Sequence, residues 1–422
     1  MIPAHVLTTL KRLRARFKPG DLADRMRGTT DTVPGIRTIR EPTAETIDGL
    51  WRRIGESAAD ALESRAQIAD QTSVEEATAY AGNIENLIGT VKVPVGVIGP
   101  MRINGLNASG DVLVPLATTE AALVASYARG ATAATRAGGI TTALLSEEMM
   151  RAPAFVFDDV LNAGLFIDWL VDHAEALKAA AEATTRFGKL ISVEPVMDNE
   201  VVFLVCRFTT GDASGQNMVT LAADAMGDFI AQNCPVPICR RYVEGNFSGD
   251  KKGSYFGILR GRGRKVSASV TLPEDIVRRY LRTTVEDMLA YGRVANLGAL
   301  LSGQIGAQAH FANGLAALYI ATGQDAACVA ESAVGFTRME ARDGGLYCSV
   351  TLPNILVGAV GGGTSLPSQA AALKIMNLPG EQPGAALAEI AAALCLCGEI
   401  SIVAAMAAGH FAAAHRKLAR DR

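Results

Sequence analysis

The sequence is short of the features that mark several common protein classes. Its seven cysteines are odd in number and scattered, without a CxxC pair, so neither a disulfide framework nor a zinc site is indicated, and a reducing cytoplasm fits. Neither charge sign is in excess: 40 Lys+Arg against 43 Asp+Glu leave a net charge of −3, which gives no electrostatic case for nucleic acid. Aromatic residues are only 5% against 42 glycines, a balance that points to Ala/Gly-rich helices packed closely. No clean apolar span occurs either. The most apolar stretch, Ala391 to Ala414, is interrupted by Glu399 and His410 and reads as a buried helix rather than a membrane crossing. Residues 1–20 carry Lys11, Arg12, Arg14, Arg16 and Lys18 with no acid, but no apolar segment follows, which excludes a secretory signal. Two nucleotide signatures are also missing. There is no GxxxxGK[ST] loop, and Gly261-Arg262-Gly263 lacks the third glycine and the βαβ setting of a Rossmann fingerprint.

What remains is a well-buried globular chain. With 422 residues, 49% hydrophobic and 20% charged, it is too long for one ordinary core, so two or three units are expected. Residues 1–72 read as an N-terminal helical region; Ile47, Leu50, Trp51 and Ile54 recur at helical spacing, and Thr43 and Thr46 offer capping hydroxyls. From Glu85 the pattern changes to short strand-like runs (Val91–Val93, Val95–Ile98, Val112–Val114), then to a small-residue helix from Thr118 to about Thr135. Residues 153–241 read as a unit of their own: strand Ala154–Phe157, helix Leu161–Thr184, a hairpin of Leu190–Val196 and Val201–Phe208 around Asp198-Asn199, helix Met218–Gln232 and strand Ile238–Tyr242. That order is βαββαβ, the ferredoxin-like arrangement. The fold class is therefore α+β, with this small unit inserted in a larger helix-and-sheet unit of residues 73–152 and 242–422. Val285–Gly323 is expected to supply the central helix pair of the larger unit.

Three segments carry chemistry. Gly211-Asp212-Ala213-Ser214-Gly215-Gln216-Asn217-Met218 is a turn between an expected strand and helix whose free N–H groups suit a pyrophosphate; a plain capping turn is the other reading. Asp250-Lys251-Lys252 places two ammonium groups beside a carboxylate in a glycine-flanked loop, either a solvated surface turn or a site where a lysine stabilises charge developing on a carbonyl oxygen. His410 and His415 lie five residues apart on the last expected helix, about 140° around its axis, so they cannot share a metal as HExxH histidines do. No metal site is expected.

Taken in order, Ile2-Pro3-Ala4, Glu85-Asn86-Leu87-Ile88-Gly89, Pro94 through Pro100, Ala117-Thr118-Thr119-Glu120, Gly211 through Met218, Asp250-Lys251-Lys252, Gly323-Gln324-Asp325-Ala326-Ala327, Gly361-Gly362-Gly363-Thr364 and Gly409-His410 through His415 resemble the 3-hydroxy-3-methylglutaryl-CoA reductase family, its eukaryotic and archaeal class more than its bacterial degradative one. The chain begins where that class's catalytic portion begins, so a soluble protein without the anchor of some members is expected. The resemblance implies a four-electron reduction of an acyl-CoA thioester to an alcohol, with NADPH as the reductant. It implies that Lys251 stabilises the oxyanion, that Glu120, its pKa raised by burial and a neighbouring acid, protonates the aldehyde oxygen, that Asp325 ties the two into one network, and that His415 protonates the departing thiolate. For NADPH it implies Thr185, Arg186 and Phe187, the loop residues Asp212, Ser214, Gly215, Gln216, Asn217 and Met218, the glycines Gly361 and Gly362, and Arg420. Arg186 and Arg420 match family positions near the 2′-phosphate, where paired guanidinium groups favour NADPH over NADH. For the acyl-CoA substrate it implies Ser126, Arg129, Arg151, Asp250, Lys252 and Asn313. It also implies a homodimer or larger homo-oligomer whose active sites are shared between subunits.

The departures fall among substrate contacts. Where the family has a serine that helps bind the substrate's terminal carboxylate, six residues before Asp250, this chain has Glu244, and a second carboxylate repels the first unless a cation pairs with it. A substrate-binding lysine of the family falls at Ala295, with Arg293 nearby as a substitute; an expected asparagine is Gly257, and CoA contacts at His5 and Ala128 are changed. Three readings follow: HMG-CoA reduction, the same chemistry on another acyl thioester, or a non-catalytic CoA- or nucleotide-binding homologue.

Overall fold

The structure is a computed structural model that describes residues 3–18, 20, 21, 24, 27, 28, 35–58 and 60–409; His410, His415 and Arg420 lie outside the described residues. The chain opens with helix α1 (Ala4–Arg16), none of whose residues is buried. Helix α2 (Ala44–Gly55) begins at a reciprocal cap in which the Thr43 hydroxyl accepts the Thr46 N–H and the Thr46 hydroxyl accepts the Thr43 N–H, satisfying two groups that helix ends otherwise leave open. Its buried face, Ile47 and Trp51, meets Ala77 and Leu87 in a small core of its own. The Trp51 indole N–H donates to the Ile88 carbonyl at 2.8 Å, locking the returning chain against it.

The larger unit is built on one twisted sheet. Strands β1 (Val95–Gly105) and β2 (Ser109–Ala117) form an antiparallel hairpin. The end of β1 pairs in parallel with the start of β3 (Ile140–Arg151). Residues Val91–Val93, expected as a strand, belong to none. Beyond the small unit, β8 (Gly263–Pro273), β10 (Gly345–Ile355) and β9 (Phe336–Arg342) continue the sheet on the far side of β3. Every second residue of β8, from Val266 to Leu272, is buried, as the two-residue period of a strand with one face on the core requires.

Strand β3 joins the two units, because Thr141–Glu148 pair with β8 while Met149–Arg151 pair with β6 (Val201–Thr209). Within residues 153–241 the other strands are β4 (Ala154–Val156), β5 (Lys189–Asp198) and β7 (Arg240–Tyr242). Their spatial order is β7-β4-β6-β5, the ferredoxin-like order, and Asn199 turns the hairpin with φ of 51°. The expected long helix is two, Val160–Asp172 and Ala174–Glu182, because the chain leaves helical geometry at His173, whose Nδ1 lies 2.8 Å from the Trp169 carbonyl. The third helix of this unit, α7, spans Gln216–Asn233 between β6 and β7.

Numbering the remaining main helices in order gives α4 (Leu123–Arg136), α5 and α6 for the pair just described, α8 (Val285–Ser302), α9 (Phe311–Thr322), α10 (Pro367–Met376) and α11 (Pro383–Ala407), with α3 at Ala61–Ile68. Helix α11 is apolar and long enough to cross a membrane, yet it runs buried through the core. Its fit against α4 is set by glycine: a Cβ on Gly130 would stand 1.9 Å from the Cys397 carbonyl oxygen, so the two backbones touch. The expected central pair is only half central. Helix α9 is buried, but α8 exposes Val294, Leu297, Leu300 and Leu301. These exposed aliphatic residues cannot be told in sequence from core residues.

Candidate active site

The loop that carries Lys251 hangs between β7 and β8, and it is built around buried charge. Arg262, 1% exposed, stands at the entry to β8 and donates from Nη1 to both oxygens of Glu331 at 2.7 and 2.8 Å. Its Nη2 lies 3.0 Å from Asp250. Arg151, at the end of β3, reaches the other Asp250 oxygen at 3.1 Å and Glu244 at 3.3 Å, both from Nη1, and donates from Nη2 to the Gln216 carbonyl. Three carboxylates therefore share two guanidinium groups. Burial pushes the Glu331 carboxyl up to about 7, against the opposing pull of Arg262, because a charged carboxylate loses hydration that one neighbour only partly replaces.

Lys251 itself has φ of +59°, a left-handed backbone that costs a non-glycine residue free energy and persists only where its surroundings hold it. Its backbone N–H donates to Glu331 Oε1 at 3.0 Å, and its ammonium meets Asp325 Oδ2 at 2.9 Å. The hydrogen bond that its ammonium donates to Asp325 pushes the Lys251 pKa above its ordinary value. Burial alone would raise Asp325, but Lys251 and the Ala327 N–H hold it below the usual carboxylate range. Lys251 is thus a fixed cation with about two-fifths of its side chain exposed. Lys252 is exposed and turns its ammonium back to the Asp250 carbonyl.

Glu120 lies elsewhere. It follows β2, accepts a 2.8 Å hydrogen bond from the Asn313 side chain, and walls a cavity of about 820 Å³ together with Ser126, Arg129, Arg293 and Ala295. Arg129 is turned onto α11, donating to the Ser401 hydroxyl and carbonyl, and Ser126 is bonded to the same hydroxyl. Two expectations need correction. Glu120 is exposed, so this chain by itself does not supply the burial expected to hold its proton. Asp325 grips Lys251 but makes no bond to Glu120 among the described residues, and neither Lys251 nor Asp325 walls the cavity. The Lys251–Asp325 pair and the cavity beside Glu120 are thus two separate places in this chain. Arg151, expected to face substrate, is buried and already paired, which follows from Glu244 standing beside it.

Two groups that matter here escaped the sequence reading. Glu331 sits six residues after Asp325, and Arg262 sits in the Gly-Arg-Gly segment weighed only as a failed dinucleotide fingerprint; a charged pair on apolar strand and helix ends was the available signal.

The segments expected to hold the nucleotide do converge. Helix α7 follows Gly215, φ 81°, which gives it no side-chain cap, so among the described residues its first-turn N–H groups and the positive end of its dipole are open to an anion. The Thr185 hydroxyl donates to the Met218 sulfur at 2.9 Å and accepts the N–H groups of Phe187 and Gly188, which brings exposed Arg186 beside that helix start. Ala213 bridges to Val360 and the Asp212 carbonyl accepts the Ala359 N–H, so Gly361 and Gly362 border the same loop. The Gln216 side chain donates to the Cys328 sulfur at 2.8 Å, linking this loop to the segment that carries Asp325.

The family model for hydroxymethylglutaryl-coenzyme A reductase matches residues 52–420. A 3-hydroxy-3-methylglutaryl-coenzyme A reductase of Methanocaldococcus jannaschii is 40% identical over 353 residues, 82% of this chain and 87% of its own length. Another, from Aeropyrum pernix, is 43% identical over 347 residues, 81% and 82% of the two chains. The fold is also similar to that of a solved reductase of the same name from Streptococcus pneumoniae (TM-score 0.62, 19% identity, 86% of this chain and 96% of that one). It is similar as well to a class II enzyme from that organism solved with NADPH (TM-score 0.61, 19% identity, 82% and 85%). With the matched model spanning most of its length, the chain belongs to the hydroxymethylglutaryl-coenzyme A reductase family.

Proposed function

We propose that this protein reduces 3-hydroxy-3-methylglutaryl-CoA to mevalonate and CoA with NADPH. The observation that carries the reading is the Lys251–Asp325 pair, a permanently charged ammonium fixed at 2.9 Å by its carboxylate beside a loop suited to a dinucleotide. NADPH, when bound, supplies the reducing equivalents for both reductions. The chain's own residues then bind, orient and move protons. The uncapped start of α7 and the exposed guanidinium of Arg186 fit the pyrophosphate and 2′-phosphate. Lys251 stabilises the oxyanion that forms at the thioester carbonyl and again at the aldehyde, a role in which a preset cation needs no reorganisation. Glu120 gives its proton to the alkoxide and His415 protonates the departing CoA thiolate, so each of the two leaving or developing anions receives one proton.

The two half-sites call for a second copy of the chain. Lys251 and Asp325 of one protomer are proposed to meet Glu120 and the cavity of its partner, which buries Glu120 and covers the exposed aliphatic face of α8 in a homodimer or larger assembly. The decisive experiment incubates purified protein with NADPH and HMG-CoA, follows the loss of NADPH absorbance and identifies mevalonate by mass spectrometry. Turnover of other acyl-CoAs without turnover of HMG-CoA overturns the reading. One observation favours a second reading, an acyl thioester lacking a terminal carboxylate: Glu244 already occupies Arg151, where such a carboxylate is expected to bind.

A further inference from the structure

Lys251 is gripped at two points by one short stretch of chain. Asp325, just before the 3-10 turn Ala326–Cys328, takes its ammonium, and Glu331, in the helical turn Val329–Ser332, takes its backbone N–H. Glu331 is 2% exposed, and its carboxylate is held in turn by Arg262, itself fixed by its backbone N–H on the Asn354 side chain and by its Nε near the Met150 carbonyl. The backbone at Lys251 is left-handed, so without a partner for its N–H the residue would relax toward the right-handed or extended basins that a lysine prefers. Relaxation at that Cα swings the whole side chain, and with it the ammonium.

We propose that Glu331 is a positioning residue for the reaction: its carboxylate, seated on Arg262, fixes the Lys251 backbone in the left-handed conformation that aims the ammonium at the reacting carbonyl oxygen. This rests on the assignment of Lys251 as the oxyanion-stabilising group. Glu331 makes no contact with substrate in this role; it acts only through Lys251.

The cluster's charge count supplies a clean test. Arg151 and Arg262 face three carboxylates, Glu244, Asp250 and Glu331, so neutralising Glu331 leaves two cations and two anions and should not unfold the chain. Glu331→Gln and Glu331→Met remove the charge alike and have similar size. They differ in that glutamine keeps an oxygen where Oε1 now accepts both the Lys251 N–H and Arg262. The expected result is that kcat of Glu331→Met falls below that of Glu331→Gln by on the order of tenfold or more, the scale of one buried hydrogen bond left unmade, with KM for HMG-CoA and the Kd for NADPH unchanged. Equal kcat values for the two folded variants overturn the proposal, because a merely structural role would move their melting temperatures and not that ratio. If Glu331→Met does not fold, hydrogen exchange at the Lys251 amide of the wild-type protein decides. Exchange as slow as that of the β8 amides upholds the proposal, and exchange at the rate of an unprotected loop overturns it. Wild-type turnover measured on the same preparation separates the two ideas: an inactive wild type counts against the assigned reaction, whereas an active wild type with indistinguishable variants counts against Glu331 alone.

Discussion

Replacing Glu244 by serine tests how this site reads the acyl end of its substrate. Glu244 Oε2 lies 3.3 Å from Arg151 Nη1, the same nitrogen that Asp250 approaches at 3.1 Å. A substrate carboxylate taken up by that guanidinium would stand roughly 5 Å from Glu244, and at an effective dielectric constant of about 20 the repulsion is about 3 kcal/mol. Asp250 stays in place in both proteins, so the difference belongs to Glu244. Partial access to solvent screens it, which brings the expected gain to about 1.5–3 kcal/mol, or roughly ten- to a hundredfold in binding. The substitution also removes acceptors for the Ala152 N–H and the Ser248 hydroxyl, a loss of about 1–3 kcal/mol of stability that thermal unfolding will register separately. Steady-state kinetics with HMG-CoA and with butyryl-CoA, which has no terminal carboxylate, are measured on the wild type and on Glu244→Ser. The expected outcome is a fall in KM for HMG-CoA in the variant with little change for butyryl-CoA. A folded Glu244→Ser protein whose KM for HMG-CoA is unchanged or higher refutes the reasoning, and places Glu244 among the groups that hold the loop rather than those that sort substrates.

Three further predictions follow from the geometry. Glu120→Gln and Lys251→Ala, each inactive alone, should regain about a quarter of wild-type activity when equal amounts are dissociated and reassembled, since half of the resulting dimers carry one intact shared site; no recovery after verified subunit exchange counts against sites built from two chains. Glu331, with a carboxyl raised from 4.5 to about 7 in the folded chain, contributes stability that is fully present below pH 4.5 and lost as pH rises through 7. The melting temperature of Glu331→Gln relative to wild type should therefore rise between pH 5 and pH 8, and a flat or falling difference contradicts the assignment. Gly130→Ala puts a Cβ 1.9 Å from the Cys397 carbonyl oxygen and should cost about 3 kcal/mol or more of unfolding free energy by forcing α4 and α11 apart, measured by chemical denaturation; a near-neutral value means the two helices separate easily.

Sequence showed most clearly what local chemistry specifies. The βαββαβ unit was legible because β5 and β6 are rich in β-branched and aromatic residues and meet at Asp198-Asn199, and Asn199 takes the left-handed conformation that asparagine tolerates. The cap of α2 was legible for the same reason. Position in the fold was not. Helices α8 and α9 share an Ala/Leu/Gly composition, yet one is buried and the other presents Leu300 and Leu301 to solvent, and only tertiary packing separates them. At the candidate site, the contact between Lys251 and Asp325 was legible because both sit in segments that carry the resemblance. Burial of Glu120 was not legible, because exposure is a property of the folded surface, and in this chain that carboxylate is open.

The same contrast explains why the lysine is held so much more firmly than the acid. A group that must present one charge throughout the reaction gains from every fixed partner, and Lys251 has two, drawn from a segment 74 to 80 residues further along the chain. Buried ion pairs such as Arg262–Glu331 are a poor source of stability, because the desolvation of both ions offsets most of their attraction. What they give is definition, since a carboxylate shut away from water has few alternative places to sit. A proton donor has the opposite requirement: it must change charge during each turnover, and a full set of fixed cations would hold it ionised. Among the described residues the Glu120 carboxylate has one side-chain partner, the neutral Asn313 amide. A rigid Lys251 and an open Glu120 are therefore what the proposed two-subunit site requires, with the charge fixed within one chain and the acid's surroundings left to its partner.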